Sequence, residues 1–217
     1  MFIGHFAVAF AAKRFSPTTS LGTLFAASQL VDLLWPLFLL LGVEHVRVVP
    51  GITVVTPLDF YDYPITHSLI GTVVWSILFA GLVFWRGRNV HAAVVVGCVT
   101  MSHWILDLIM HRPDLPLFST TSPKVGLGLW NSLPLTLLLE VGLFVAGVVV
   151  YMKSTSADDK IGRWGLLALV VFLVSIYLSN ILGPPPPSED MIAIAGNAMW
   201  IIVLWGWWVD RHRHSLK

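Results

Sequence analysis

Long apolar runs recur along this chain, and they constrain its fold more than any other feature. A helix needs about 20 predominantly apolar residues to cross the ~30 Å hydrocarbon core of a bilayer. Five of these runs are clear candidates for membrane spans. A sixth begins with Asn131 and Pro134 and continues as a long run rich in Leu and Val. The six predicted spans are residues 20–43, 66–86, 90–110, 128–152, 164–183 and 191–209.

The remaining sequence supports one membrane domain. The chain is 56% hydrophobic and only 12% charged, whereas a soluble domain carries about 25% charged residues. The first 12 residues are apolar but too short to cross a bilayer, so we predict a half-helix packed against the bundle. No repeat or linker marks a second domain. Residues 1–217 are therefore predicted to form a single, all-α, polytopic transmembrane helical bundle.

The charged residues divide the loops into two kinds. The loops at residues 44–65, 111–127 and 184–190 carry acidic residues and fewer basic ones. The other ends of the spans are basic, at Lys13, Arg14, Arg86, Arg88, Lys153, Lys160, Arg163, Arg211, Arg213 and Lys217. The positive-inside rule then predicts cytoplasmic termini and outward-facing acidic loops. A net charge of +1 without a basic run gives no sign of a nucleic-acid partner, and the predicted partner is the lipid bilayer.

Several ionisable residues lie within or beside the predicted spans. Each such residue costs about 2.5–3.5 kcal/mol on insertion scales, which makes it a functional candidate. His103 and Asp107 are four residues apart, so they face the same side of the third span, and His111 continues that stripe. His67 begins the second span at the same predicted outer side.

Three further candidates are predicted at comparable depth. Asp32 lies near the middle of the first span, Glu140 lies near the middle of the fourth, and His5 lies within the half-helix. Imidazole and carboxylate groups are typical ligands of zinc and related divalent ions. A bound ion would compensate for burying the carboxylates and would support hydrolysis of a phosphate or acyl ester. The predicted metal ligands are His5, Asp32, His67, His103, Asp107 and His111.

Catalytic roles are predicted for three residues. Asp32 and Glu140 would complete the metal site or act as general base, and Arg112 would bind an anionic head group. Other interpretations remain open. The histidines could join helices by hydrogen bonds, Asp32 and Glu140 could relay protons, and Arg112 could pair with Asp114 or Asp59. The histidines interpreted as solvated are His45, His91, His212 and His214.

The order of these motifs resembles a known family. The motifs are a His-bearing N-terminus, Asp32 followed by Trp35-Pro36, Thr66-His67-Ser68, and Ser102-His103 with Asp107. Over roughly residues 4–118 they resemble bacterial inner-membrane metal-dependent hydrolases, also described as LexA-binding, inner-membrane-associated hydrolases. Where family members often carry Pro-Asp-x-Asp, this chain supplies one acid, Asp32. A more remote similarity is to zinc-dependent phospholipase C, which also uses an early His, an Asp, a separate His and a His-x-x-x-Asp helix.

Three hypotheses follow from these residues and from the resemblance. The first is a metal-dependent hydrolase of the bacterial inner membrane, acting on a lipid or lipid-linked (phospho)ester near the outer leaflet. The second is a small proton-coupled transporter that uses Asp32 and Glu140 as titrating carriers. The third is a non-catalytic membrane scaffold, in which the polar residues only join helices.

Overall fold

The computed structural model describes residues 1–216, which form a bundle of ten α-helices with three small two-stranded sheets. The helices are α1 Ile3–Ala12, α2 Leu21–Ser28, α3 Leu30–Leu40, α4 Pro64–His67, α5 Leu69–Gly87, α6 Val90–Met110, α7 Leu133–Ser154, α8 Lys160–Leu182, α9 Glu189–Asn197 and α10 Met199–Asp210. The strands are β1 His45–Val48, β2 Leu58–Asp62, β3 Leu115–Pro116, β4 Lys124–Val125, β5 Thr155–Ala157 and β6 Arg213–Ser215. Lys217 was predicted to face the cytoplasm, and it lies outside the described residues.

Five helical segments are long and apolar enough to cross a bilayer. They are α5, α6, α7, α8 and the joined pair α9–α10, with lengths of 19 to 23 residues. The bent pair α2–α3 makes a sixth. Large apolar side chains remain exposed on these helices, including Ile77 at 66%, Leu138 at 73% and Leu182 at 78%. Such surfaces suit lipid as the solvent, and the prediction of an all-α, multi-pass bundle is confirmed.

The first predicted span, residues 20–43, is not one straight helix. It breaks between α2 and α3 with a bend of 59°. Gln29 leaves the helical conformation at φ −110° and ψ 7°, and the Ser28 hydroxyl donates to the Phe25 carbonyl at 3.2 Å. Side-chain bonds of this kind compete with the helical ladder. The break leaves the Ser28 carbonyl oxygen free to meet a side chain from another helix.

Other predicted boundaries shift for local reasons. The second span begins at Leu69 because Ser68 caps α5, accepting the N–H of Gly71 at 2.9 Å. His67 therefore ends the separate short helix α4. The fourth span begins at Leu133 because a 3₁₀ turn, Leu129–Asn131, comes first.

Helix α1 lies inside the bundle, as the half-helix prediction required. Eight of its ten residues are buried, and it packs mainly on α7, with α2 and α6 beside it. Gly147 of α7 allows this approach, because a Cβ atom there would lie 2.3 Å from the Ala7 carbonyl oxygen. At its other end, the Lys13 ammonium donates to Asp210 Oδ2 at 2.8 Å and to the Thr19 carbonyl at 2.9 Å. The half-helix is therefore fixed at both ends and along its length.

Two hairpins cover one end of the bundle. Strands β1 and β2 pair antiparallel, with Arg47 opposite Asp59, and β3 pairs antiparallel with β4. Bonds join the two hairpins, since Thr120 donates to Asp62 Oδ1 at 2.5 Å and Lys124 donates to the Tyr61 carbonyl at 3.0 Å. We call residues 41–63 and 111–131 the hairpin cap. The β5–β6 pair lies at the opposite end, where α7 finishes.

Candidate metal centre

Five of the predicted ligands converge in one buried region between the helices. They come from four elements that are distant in sequence: α1, α3, α4 and α6. We call them the His/Asp cluster, and its members are His5, Asp32, His67, His103 and Asp107. His5 and His103 are each 1% exposed and Asp107 is 2% exposed. Burying ionisable groups such as these costs free energy, yet all five lie together inside an apolar bundle.

Asp107 occupies the more deeply buried half of the cluster. Its Oδ1 atom lies 3.1 Å from His5 Nε2 and 2.9 Å from the amino group of Met1. Its Oδ2 atom lies 3.0 Å from His103 Nε2, as expected for residues four apart on one helix. The His5 and His103 rings stack with their centroids 3.6 Å apart. Both imidazoles therefore present Nε2 to one carboxylate.

Asp32 occupies the more open half of the cluster. Its Oδ1 atom lies 3.1 Å from His67 Nε2, and its Oδ2 atom lies 3.7 Å from His103 Nε2. The Asp32 side chain is 25% exposed, whereas the side chains of His67 and His103 are 6% and 1% exposed. The cluster therefore reaches the molecular surface through Asp32.

The hydrogen bonding of His103 defines its free nitrogen. His103 Nδ1 lies 2.7 Å from the Ser28 carbonyl oxygen at the α2–α3 break, and because a carbonyl only accepts, Nδ1 must carry the proton. His103 Nε2 has no hydrogen-bond partner among residues 1–216, although carboxylate oxygens lie 3.0 and 3.7 Å away. In the neutral ring, its lone pair would face two carboxylates without a proton or cation between them.

The donor set fits a divalent metal ion. Two overlapping triads have ligand atoms within 4.8 Å of one another: His5, His103 and Asp107, and Asp32, His67 and His103. Zinc–nitrogen and zinc–oxygen bonds are about 2.0–2.2 Å long, so either triad would have to contract around an ion, and the stacked His5 and His103 rings would also have to tilt toward one point. Both triads share the single free nitrogen of His103. The two triads therefore overlap at His103.

His111, also predicted as a ligand, lies beside the cluster and belongs to neither triad found in the described part of the chain. Helix α6 ends at Met110, and His111 turns away at φ −65° and ψ 145°. Its Nδ1 atom lies 2.9 Å from Asp114 Oδ1, while its Nε2 atom is 4.0 Å from Asp107 Oδ2. The stripe predicted on α6 therefore holds for two residues and ends before the third.

Glu140 and Arg112 contact protein groups outside the His/Asp cluster. Glu140 Oε2 accepts the backbone N–H groups of Phe2 and Gly4, at 2.9 and 3.2 Å, at the start of α1. Arg112 forms ion pairs with Asp59 and, through Nε at 3.0 Å, with Asp114. The loop salt bridge, left open as an alternative for Arg112, is the arrangement observed. Both residues hold elements in place around the cluster.

The histidines interpreted as solvated lie away from the cluster. His91 is exposed and contacts the Phe15 carbonyl at 2.6 Å. The other three pair with carboxylates: His45 with Asp62, His212 with Asp159, and His214 with Asp158. These contacts join strands and loops at the two ends of the bundle.

Two residues that support His67 from outside the cluster were not among the predicted site residues: Thr66, which contacts its ring, and Glu44, which holds Thr66. Glu44, 1% exposed, accepts the Thr66 backbone N–H at 2.8 Å on Oε1 and the Thr66 hydroxyl at 2.7 Å on Oε2. Thr66 Oγ1 lies 2.7 Å from His67 Nδ1. Burial raises the pKa of the Glu44 carboxyl above its ordinary value, more than the Thr66 hydrogen bonds lower it. The one sequence signal was an acid directly after the apolar residues Leu41-Gly42-Val43.

Comparison with known proteins finds no match for this chain. The chain matches no protein-family model, no curated protein and no solved structure. The chemistry of the His/Asp cluster is therefore the basis for a functional proposal.

Proposed function

We propose that the protein is a metal-dependent hydrolase of the bacterial inner membrane, acting on a lipid or lipid-linked (phospho)ester near the outer leaflet. The observation that carries the proposal is His103 Nε2, which lies between two carboxylates without a hydrogen-bond partner in the described chain. A divalent cation in reach of this nitrogen would satisfy both carboxylates and the imidazole. Zinc is the ion that best suits a mixed imidazole and carboxylate set.

The supporting contacts match those expected around metal-binding histidines. Such rings usually donate their second N–H to a carbonyl or another acceptor, which fixes the ring and its tautomer. His103 Nδ1 has the Ser28 carbonyl as this acceptor, and His67 Nδ1 has the Thr66 hydroxyl.

The residues of the chain have different roles at the proposed site. When bound, a divalent ion supplies Lewis acidity and lowers the pKa of water. His5, His103 and Asp107 form the buried wall that would hold the ion, with His67 on the more open side. Asp32 lies at the surface of the cluster, so it can accept a proton from an entering group. Glu140 supports His5 by holding the start of α1.

The surface next to Asp32 supports a lipid substrate. Asp32 lies on α3, and the same helix exposes Leu37 at 44% and Leu40 at 53%. An ester with acyl or isoprenoid chains would place those chains against the apolar side of α3, with its polar group toward the cluster. A water-soluble substrate would gain nothing from these leucines.

Elemental analysis of detergent-purified protein tests the metal. We expect about one zinc or similar ion per chain in the wild type, near-complete loss in His103→Ala, and full retention in the matched control His91→Ala, since His91 is exposed and outside both triads. Activity is tested in vesicles of bacterial phospholipid, with mass spectrometry of released products. Products that need metal and disappear in His103→Ala support hydrolysis. A metal-free wild type that is indistinguishable from His103→Ala contradicts the proposal.

The broken α2–α3 span favours a proton-coupled transporter as a second candidate. Discontinuous helices often place their ends at the ion sites of transporters, and here the Ser28 carbonyl ends α2 while Asp32 lies in the first turn of α3. Proteoliposomes with an imposed pH gradient distinguish the two functions. Flux abolished by Asp32→Asn and insensitive to metal removal supports transport, whereas metal-dependent product without flux supports the hydrolase.

A further inference from the structure

A short hydrogen-bond chain joins the loop before β1 to the His/Asp cluster. It runs from Glu44 through the Thr66 hydroxyl to His67 Nδ1, and both links are 2.7 Å long. Glu44 also holds the Thr66 backbone, so both carboxylate oxygens act on one residue. Thr66 is 0% exposed and His67 is 5% exposed. Solvent therefore does not compete for these bonds.

The protons in this chain can be assigned from donor and acceptor rules. The Thr66 hydroxyl has one proton, and an ionised Glu44 carboxylate can only accept. The hydroxyl proton must then point to Glu44, which leaves Thr66 Oγ1 to accept from His67 Nδ1–H. His67 Nε2 hydrogen-bonds Asp32 Oδ1, 3.1 Å away, and because that carboxylate only accepts, Nε2 also carries a proton in the metal-free ring. With Nδ1–H held by Thr66, a divalent ion that displaces the Nε2 proton would find that nitrogen inside the cluster as a ligand atom.

We propose that Glu44 is the positioning residue of His67: acting through Thr66, it holds a proton on Nδ1 and leaves Nε2 to coordinate a divalent ion. This role rests on the proposed metal site, but the proton itself can be measured without metal. Helix α4 has only four residues, and one turn does not hold its shape without tertiary contacts. Glu44 supplies such a contact and fixes the His67 ring in the same step.

Nuclear magnetic resonance of ¹⁵N-histidine-labelled protein in detergent tests the proton directly. Spectra are recorded at increasing pH, from about pH 6 to 9, because burial raises the pKa of Glu44 above the ordinary range of Glu, and His67 is assigned by its absence in His67→Asn. We expect an Nδ1–H signal in the wild type. In Glu44→Gln the amide oxygen must accept the Thr66 N–H, so its NH₂ group donates to Thr66 Oγ1. The hydroxyl proton then turns to His67, and the Nδ1–H signal is lost.

Thr66 provides a matched pair of variants. Thr66→Val keeps the shape without the hydroxyl and should lose the Nδ1–H signal, whereas Thr66→Ser keeps the hydroxyl and should retain it. We expect zinc affinity to fall about 10–100-fold in Glu44→Gln and Thr66→Val and to stay within about threefold in Thr66→Ser. Asp62→Asn is the control on the same hairpin, because Asp62 pairs with His45 and Thr120, and it should change neither quantity.

The possible results distinguish a positioning role of Glu44 from a general contribution to stability. If Glu44→Gln and Thr66→Val keep the Nδ1–H signal, the positioning role is overturned, even if both variants melt at lower temperature. The same holds if wild-type zinc affinity persists in both. If the wild type binds no zinc, the metal proposal fails, while the Nδ1–H signal still decides whether Glu44 controls the His67 proton.

Discussion

Asp107→Asn tests whether one buried carboxylate holds the cluster together. Asp107 is 2% exposed; its Oδ1 atom pairs with the Met1 ammonium at 2.9 Å, and its two oxygens lie 3.1 Å from His5 Nε2 and 3.0 Å from His103 Nε2. An amide removes the charge and turns an NH₂ group toward one of these ring nitrogens. Loss of one partner of a buried ionic pair costs about 3–5 kcal/mol, and a chain of this size melts about 2–4 °C lower per kcal/mol, so the expected fall is about 6–20 °C.

The assay is thermal unfolding in detergent, followed by tryptophan fluorescence, first with EDTA and then with zinc. Zinc at 100 times its Kd stabilises a folded protein by about 2.7 kcal/mol, so the wild type should melt about 5–11 °C higher with zinc, and Asp107→Asn should not respond. Asp190→Asn is the control because Asp190 is exposed in the first turn of α9, where a charge contributes less than about 1 kcal/mol. An Asp107→Asn protein that melts like the wild type and keeps the zinc response refutes the reasoning.

Three further outcomes are expected. Gly147→Val should lower the melting temperature and zinc content together, because a Cβ atom would lie 2.3 Å from the Ala7 carbonyl and displace α1, whereas Gly142→Ala has no atom within 4 Å and should be neutral in both measurements. Glu140→Leu should destabilise by about 1–3 kcal/mol in denaturant unfolding, since two backbone N–H groups lose their acceptor; no change would show that these bonds contribute nothing. The raised pKa of Glu44 means that its folded form binds the proton more tightly, so its contribution is complete below the unfolded pKa and is lost as pH rises through the folded pKa. The melting temperature of the wild type should therefore fall relative to that of Glu44→Gln as the pH rises above about 4.5, and a difference that stays constant would contradict this.

Much of the fold could be predicted from composition and length alone. Helices α5 to α8 follow from apolar runs, because a bilayer imposes one minimum length on every span. The break at Gln29 could not be predicted in this way. It depends on the Ser28 hydroxyl bonding its own helix and on His103 meeting the freed carbonyl from α6, and contacts between distant segments leave no periodic signal.

The candidate site, like the fold, could be predicted only in part. His5, Asp32, His67, His103 and Asp107 were identified because an ionisable group in an apolar segment is costly, and that rule is local. Helical spacing predicted that His111 joins them, but α6 ends at Met110 and His111 lies beside the cluster, paired with Asp114. Glu44 was missed because a loop acid gives no sign of being buried until its partner on another segment is known.

The position of α1 has a consequence for how this protein is made. Phe2 bonds to Glu140, 138 residues further along the chain, and Gly147 supplies the closest surface for α1. A ribosome must reach α7 before this surface exists, and contacts so distant in sequence form slowly. Helix α1 therefore emerges well before α7 and completes its packing late. A nascent chain stopped before α7 would lack the groove that receives α1, and His5 would not yet be held beside Asp107.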